Sequence, residues 1–477
     1  MNGARHPPID PAAAATDSYS PQRRTALVLT GTGTSGAYHA GVLRALHEAG
    51  VKLDLVAGRG IGVVGALFAA IDGAPRLWED KGYWRSAAIR SLYGWRTAPR
   101  LIAGGLALSL AIVAVPIAAV AIGLIVFPID FLLKMVGLSG GGLSGAYVRG
   151  ADAAFAPGAL PTWLPRIVLL VLLAVAGAVV ASAKIGVQAR RVRGALWWRI
   201  VKPPLAAADA ADHTWRVMWD LVRGATQLKQ PEPLDLARRY TEMLGENLGQ
   251  PGFRELVMTV HDLDAHRDLV FAMVGEARRR DLFRRPSTAA ADERRAEVFD
   301  LTGVARDYLA DAVAAALTVP VASDVHTITF APDAYWRGET HRLCDRPAGL
   351  VRLLDELVDL GVEQMILVSA SPELHGPHEL HTPRIDGRGR LGEYLQSAEA
   401  AIVRDATRMA SGLPRIFTVH PVHNPLGPFD FGGGFDDRSD RRQPLDELMS
   451  QGYEDAYRQF IEPVVGASGD RVGQGVS

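Results

Sequence analysis

Two glycine-punctuated turns carry the residues that could do chemistry. In the first, the apolar run TALVLT (25–30) passes directly into Gly31-Thr32-Gly33-Thr34-Ser35-Gly36 and then into AYHAGVLRALHEAG, whose apolar residues fall at helical spacing. A strand, a glycine turn and a helix in that order let backbone N–H groups close in on a negative charge at the helix N-terminus. In the second, LDLVAG runs into Gly58-Arg59-Gly60-Ile61-Gly62 and then into VVGALFAA. This is the frame of a nucleophile elbow, where glycines flank a residue held in a strained strand-to-helix turn. A cradle of N–H groups beside an elbow is the ground plan of an acyl-transfer site. The pattern G-x-G-x-x-G also serves dinucleotide folds, but these want an acid at the end of the second strand. Here Asp54 stands at its start, which leaves nucleotide binding a remote alternative.

The wider sequence resembles the patatin-like phospholipases. The resemblance runs through LTGTGTSGAYHAGVLRAL, VAGRGIGVVGALFAA, VMTVHDLDAHRDLVF, LADAVAAALTVPVASDVHTITFAPDAYWRGETHRL and LVDLGVEQMILVSASPE, in that order, over about 23–75 and 250–373. It implies a three-layer α/β/α sandwich with a mostly parallel sheet. It also implies hydrolysis of lipid acyl esters by a Ser–Asp dyad, with the serine in G-x-S-x-G, the acid in D-G-G or D-G-A, and a glycine-rich oxyanion loop. Carried over residue by residue, the oxyanion-type loop falls on Gly31, Thr32, Gly33 and Gly36, with Ser35 where the family has a basic residue. The elbow falls on Gly58, Gly60 and Gly62, with Gly60 at the nucleophile position. The acid, sought in a Y-x-D-G context, falls on Arg337 in Tyr335-Trp336-Arg337-Gly338. On this reading both catalytic side chains are absent and no catalytic residue is assigned.

Glycine relaxes an elbow, because positive φ costs it little. Arginine cannot act as a base, but it can grip phosphate or carboxylate with two parallel bonds. The expectation is therefore a non-catalytic, lipid-binding or regulatory relative, with Arg337 in a site for an anionic lipid head. The plainer expectation for Arg337 is that it points to solvent or pairs with a nearby acid such as Glu339 or Asp345. The alternative function is an active lipid acyl hydrolase using Thr32, Thr34 or Ser35 with His39 one helical turn on. Residues inside a cradle are badly placed to attack what it holds, and helix capping is their ordinary role. Asp386-Gly387 also spells D-G and reads as a turn.

These turns need a scaffold, and the composition allows one. The chain has 477 residues, 48% hydrophobic and 22% charged, with 51 basic against 52 acidic side chains. That excludes wholesale disorder and a basic field for nucleic acid. A single cysteine, Cys344, excludes an internal disulfide and a cysteine-built zinc site. No cofactor is expected. His375, His378, His381, His420 and His423 lack zinc-site spacing, so no metal is expected either. The carboxylates of HDLDAH (261–266) read as structural.

The domain plan has a disordered leader over 1–22 and a discontinuous α/β domain over 23–95 and 205–430. A membrane insertion occupies 96–204, and 431–477 is a C-terminal loop, helix and tail. Leu101 to Ile129 carries no charge over about 29 positions, more than the ~20 a bilayer requires. A second run follows Arg166, giving expected helices at about 101–129 and 163–187. Arg85, Arg90, Arg96 and Arg100 precede the pair. Lys184, Arg190, Arg191, Arg193, Arg199 and Lys202 follow it, while the connector is poor in basic residues. The positive-inside rule then places both termini and the α/β domain in the cytoplasm, on a multi-pass inner-membrane protein whose partners are the bilayer and its lipids. Elsewhere, strands are predicted within 253–275 and near 325–330, 364–370 and 415–420. Helices are predicted within 207–249 and near 304–317, 348–360, 395–411 and 444–461. The alternation implies a mostly parallel sheet with helical cover. Oligomeric state is not fixed by the sequence.

Overall fold

The computed structural model describes residues 19–137, 142–187, 203–224, 226, 228–283, 296–372, 387–409, 414–436 and 438–466. The chain divides into two compact units, one formed by residues 1–94 and 205–477 and the other by residues 95–204.

The larger unit is a nine-stranded, mostly parallel sheet between two helical layers. Its strands are β1 (Thr25–Thr30), β2 (Leu55–Arg59), β3 (Glu255–Asp262), β4 (Arg267–Met273), β5 (Val298–Asp300), β6 (His326–Thr329), β7 (Thr340–Cys344), β8 (Gln364–Ser369) and β9 (Arg415–Val419). The main path runs β5-β4-β3-β2-β1-β8-β9, and the hairpin β6–β7 joins it through β3. Among the described residues of this sheet, only β3–β4, β3–β7 and β6–β7 pair antiparallel.

The central strands are buried on both faces, which is why they read as unbroken apolar runs rather than alternating ones. Their alternate residues feed two separate cores. Leu27, Leu29, Val56, Met258, Ile366 and Val368 face one side. Ala26, Val28, Leu55, Ala57, Met365 and Leu367 face the other. The first side is covered by α1 (Ser35–Glu48) and α2 (Gly62–Ala70), with helices 208–222, 233–247, 309–316 and 445–456. The second is covered by helix 349–359, through Leu350, Leu353, Leu354 and Leu357, and by helix 387–409. Each such aliphatic side chain contributes roughly 1.5–3 kcal/mol when fully buried, so the two cores carry the unit's stability.

Two boundaries differ from expectation. Residues 1–18 of the expected leader lie outside the described residues, but Tyr19 is buried, edge-on to Phe460, and donates its hydroxyl to the Lys52 carbonyl. The C-terminal segment is not a separate piece either. Helix 445–456 crosses α1 at backbone contact, because glycines meet carbonyls there. A Cβ on Gly41 would lie 1.9 Å from the Met449 oxygen, and one on Gly452 would lie 2.3 Å from the Tyr38 oxygen. Tyr38 also donates its hydroxyl to Asp455 across this crossing.

The smaller unit holds α3 (Thr97–Met135), α4 (Leu143–Ala154) and α5 (Leu160–Val187). Among the described residues, one helix is long and apolar enough to cross a membrane, Ala103–Met135, and its surface is almost wholly exposed. Its 33 residues span about 50 Å, more than the ~30 Å of a hydrocarbon core. The apolar part of α5, Trp163–Gly177, is shorter, at about 22 Å. α5 returns along α3, where Gly105 leaves space for Val171 and Val175. Much of the basic flank expected after the second helix, 188–202, lies outside the described residues.

Candidate functional site

The two glycine turns stand side by side at the C-terminal ends of β1 and β2, where an open parallel sheet presents its ligand site. The elbow is there. Arg59 ends β2, Gly60 has φ +55°, and α2 begins at Gly62. The flanking glycines serve packing. A Cβ on Gly62 would lie 2.1 Å from the Leu29 oxygen, and one on Gly58 would strike the α2 backbone at 2.7 Å.

The carboxylate beside the elbow is Asp345, and Arg337, expected at that place, lies elsewhere. β3 pairs with β2 as far as Thr259 opposite Arg59, and further on with β7, His261 opposite Cys344. β7 therefore runs antiparallel into the lane that β2 vacates at Gly60, and Asp345, the next residue, arrives beside the elbow. A Cβ on Gly60 would lie 2.9 Å from Asp345 Oδ2. Arg337 is exposed in the β6–β7 connection, at the other end of a strand about 17 Å long. Its φ of +45° and its N–H bond to the Ala334 oxygen make it part of a turn.

Asp345 is not free to act. Arg59, fully buried, donates from Nη1 to both Asp345 oxygens at 2.9 Å, from Nη2 to Glu399, and from Nε to the Thr30 hydroxyl at 2.8 Å. Thr30 in turn donates to Glu399. Burial pushes the Asp345 carboxyl up to about 6, against the pull of Arg59. Burial works against the Arg59 charge too, but Asp345 and Glu399 outweigh it and raise its pKa. Arg59 thus occupies the variable position between the first two elbow glycines and fills the space beside the would-be nucleophile.

The oxyanion-type loop is also altered from its expected role. In an elbow, the N–H of the residue after the nucleophile is one of the oxyanion donors. Here that donor is Ile61, and its N–H is bonded at 3.0 Å to the Gly31 carbonyl. Gly31 thus turns an acceptor toward the place where an oxyanion would need donors. The same oxygen would lie 2.2 Å from a Cβ on Gly60. Further along the loop, the Thr34 N–H and hydroxyl both donate to a C-terminal strap, to the oxygens of Pro428 and Gly427 at 2.9 Å. Thr34 makes no side-chain bond to the start of α1, so the expected capping role is not seen there. A Cβ on Gly33 would strike the Pro428 oxygen at 1.8 Å, so this glycine is required by the strap. Thr32 is buried, and Gly36 accommodates the Trp84 ring. The strap is anchored by Leu426, Phe429 and Phe431, all buried, with Tyr93 stacked on Phe431.

His39 is buried, with Nε2 at 3.1 Å from the Thr30 carbonyl and no hydrogen-bond partner at Nδ1. Donation from Nε2 leaves the lone pair on Nδ1, and burial lowers its pKa to about 4, so the ring is neutral. Among the described residues no group of His, Cys, Asp and Glu could hold a metal ion, and His423 pairs with Asp436. His375, His378, His381 and Asp386 lie outside the described residues. Arg59 and Glu399 were not singled out by sequence reasoning. The signal for Arg59 was a charged residue inside a doubly buried strand, which demands a buried partner.

No family model matches the chain. Over 60 residues it is 50% identical to patatin-like phospholipase domain-containing protein 6 of Mus musculus, Pongo abelii and Homo sapiens. That stretch is 12% of this chain and 4% of each relative's length. The local identity relates the chain to patatin-like phospholipase domain proteins. Among solved structures, VipD from Legionella pneumophila aligns over 94% of this chain and 67% of its own, at 13% identity and a TM-score of 0.32.

Proposed function

We propose that this chain is a membrane-anchored, patatin-like protein that has exchanged acyl transfer for a structural or regulatory role at a lipid surface. One observation carries the reading: the acyl-transfer parts are present but bonded to each other. Gly60 offers no nucleophile, the Ile61 N–H is held by the Gly31 carbonyl, and Asp345 is clamped by Arg59. An attacking group, an oxyanion donor and a base are all needed together, and here the nucleophile position is a glycine, the elbow N–H is taken and the nearby carboxylate is paired. Lipid is engaged through the insertion rather than through the sheet-end crevice, whose glycine loop is covered by residues 427–428. In this reading α3 and α5 cross the bilayer as a hairpin, with both basic flanks on the cytoplasmic face.

A second reading, hydrolysis by a relocated serine, draws on one feature. Ser35 lies one helical turn before His39, whose Nδ1 is unpartnered. A neutral ring with so low a pKa is a poor general base at pH 7. The test is the full chain in phospholipid nanodiscs, challenged with a fluorophosphonate probe and with ester-quenched phospholipid. Absence of labelling and of turnover supports the first reading. Labelling at Ser35 that is lost in Ser35→Ala would overturn it.

A further inference from the structure

We propose that the turn Pro320–Val321–Ala322 is a membrane-contacting tip of the α/β unit, which seats Val321 at the headgroup level of the bilayer that takes up α3. The inference rests on the reading of α3 as membrane-spanning.

The first observation is conformational. Val321 has φ +67° and is 82% exposed. Left-handed backbone is least tolerable for a β-branched side chain, and glycine or asparagine would relax the same turn. A strained valine presented outward does nothing for the core. Strain of this kind collects at functional places such as ligand clamps and switch regions.

The second observation is position. The Ala322 carbonyl accepts from the Leu205 N–H at 2.9 Å, and Leu205 bridges to Ser323. The next residue, Ala206, donates to the Gly94 carbonyl at 3.1 Å. Gly94 and Leu205 are the residues at which the chain leaves and re-enters this unit. The turn is therefore hydrogen-bonded to the root of the insertion. From Gly94 the chain reaches Thr97, where α3 starts, and then Ala103, where its apolar span starts. Three extended and six helical residues cover at most about 20 Å, so the root stays within that distance of the apolar span. Trp95, the first residue past Gly94, is half exposed, as suits an interfacial aromatic. Asp324, exposed just beyond the turn, limits the tip to the interface and prevents deeper insertion.

The test uses the full chain in phosphatidylcholine nanodiscs containing some lipid with a shallow acyl-chain quencher. The native Cys344 is buried and its thiol is pushed up to about 12, so an introduced cysteine is labelled selectively. A fluorophore is placed in turn at Val321→Cys, at Leu124→Cys on the exposed surface of α3, and at Val304→Cys, an exposed site at the far end of helix 309–316. Lipid quenching at 321 should reach at least half of that at 124, with none at 304. Aqueous iodide should quench 321 several-fold less than 304. If 124 is quenched while 321 behaves like 304, the tip is refuted and α3 still spans. If 124 is not quenched, the membrane reading fails and this inference fails with it. Protection of 321 from iodide without lipid quenching would mean a protein cover and would also overturn it.

Discussion

A single guanidinium nitrogen of Arg59 reaches both carboxylate oxygens of Asp345 at 2.9 Å, beside the Gly60 turn. Glu399 faces the same arginine, and Tyr93 lies close enough to feel the Asp345 charge. The cluster therefore holds two buried acids against one buried cation.

Stability should depend on pH through this cluster. Asp345 titrates near 6 when folded, against an ordinary carboxylate value of 3.8. A raised folded pKa favours the folded state at low pH. That contribution is complete below about pH 4 and is lost as pH rises through 6, to a total of about 3 kcal/mol. Asp345→Asn cannot ionise. The melting temperature of Asp345→Asn minus that of the native chain should therefore rise between pH 4 and pH 7. A difference that is flat or falling over that window would contradict the assignment.

Removing the cation is the more damaging change. Arg59→Met leaves Asp345 and Glu399 buried without a counter-charge, which costs about 3–5 kcal/mol near neutrality. The loss should shrink at pH 4.5, where Asp345 is protonated. Thermal unfolding at both pH values measures it, and Arg59→Lys should recover only part of the loss, since lysine cannot donate to both acids in a fixed fork.

Restoring a serine should not restore an enzyme. In Gly60→Ser the new Cβ meets the Gly31 oxygen at 2.2 Å, so the glycine loop must move. The expected result is destabilisation by about 1–3 kcal/mol and no fluorophosphonate labelling. Turnover of phospholipid by this single variant would show that the Gly31 carbonyl does not obstruct the elbow.

The glycine crossing between α1 and helix 445–456 predicts a requirement for the C-terminal segment. Gly452→Val drives a side chain into the Tyr38 carbonyl, 2.3 Å from the Cβ position, and separates the helices. A loss of about 3 kcal/mol is expected, together with exposure of Met449 and loss of the Tyr38–Asp455 bond. Gly432→Ala, at an open position in the nearby loop, is the control and should be nearly neutral.

The insertion should be removable. Because Ala206 bonds to Gly94, a short Gly-Ser linker can close the chain across 95–204. The shortened protein should fold with a cooperative melt and leave the membrane fraction. Failure to fold would show that the α/β unit depends on residues of the insertion.

Much of the frame was legible in the sequence because each turn announces itself locally. TALVLT followed by glycines, and LDLVAG followed by glycines, contain their own strand, breaker and helix signals within about 20 residues. The acid was not legible in the same way. Asp345 is followed by Arg346 and Pro347 rather than by glycine, so the expected Y-x-D-G context drew the search to Tyr335-Trp336-Arg337-Gly338, which lacks the acid and belongs to a hairpin loop. What identifies Asp345 is its place between β7 and helix 349–359, and that depends on β7 replacing β2 along β3. Glu399 is 340 residues from Arg59 in the chain, and no local pattern joins them. The strap over the glycine loop is equally non-local. Thr34 and Pro428 meet because the strap's own apolar residues are buried beside Tyr93 and helix 445–456 packs against α1.

On the proposed reading, the Gly31 carbonyl sets how reversible the loss of chemistry is. Turning one peptide plane exchanges an acceptor for a donor, and here the acceptor is pinned by a neighbour's amide, so two partners would have to let go together. A lineage that reached this arrangement could regain a reactive hydroxyl by one codon change and still remain inert. On the proposed reading, selection on such a chain then acts on how firmly it sits in the membrane and on what it meets there.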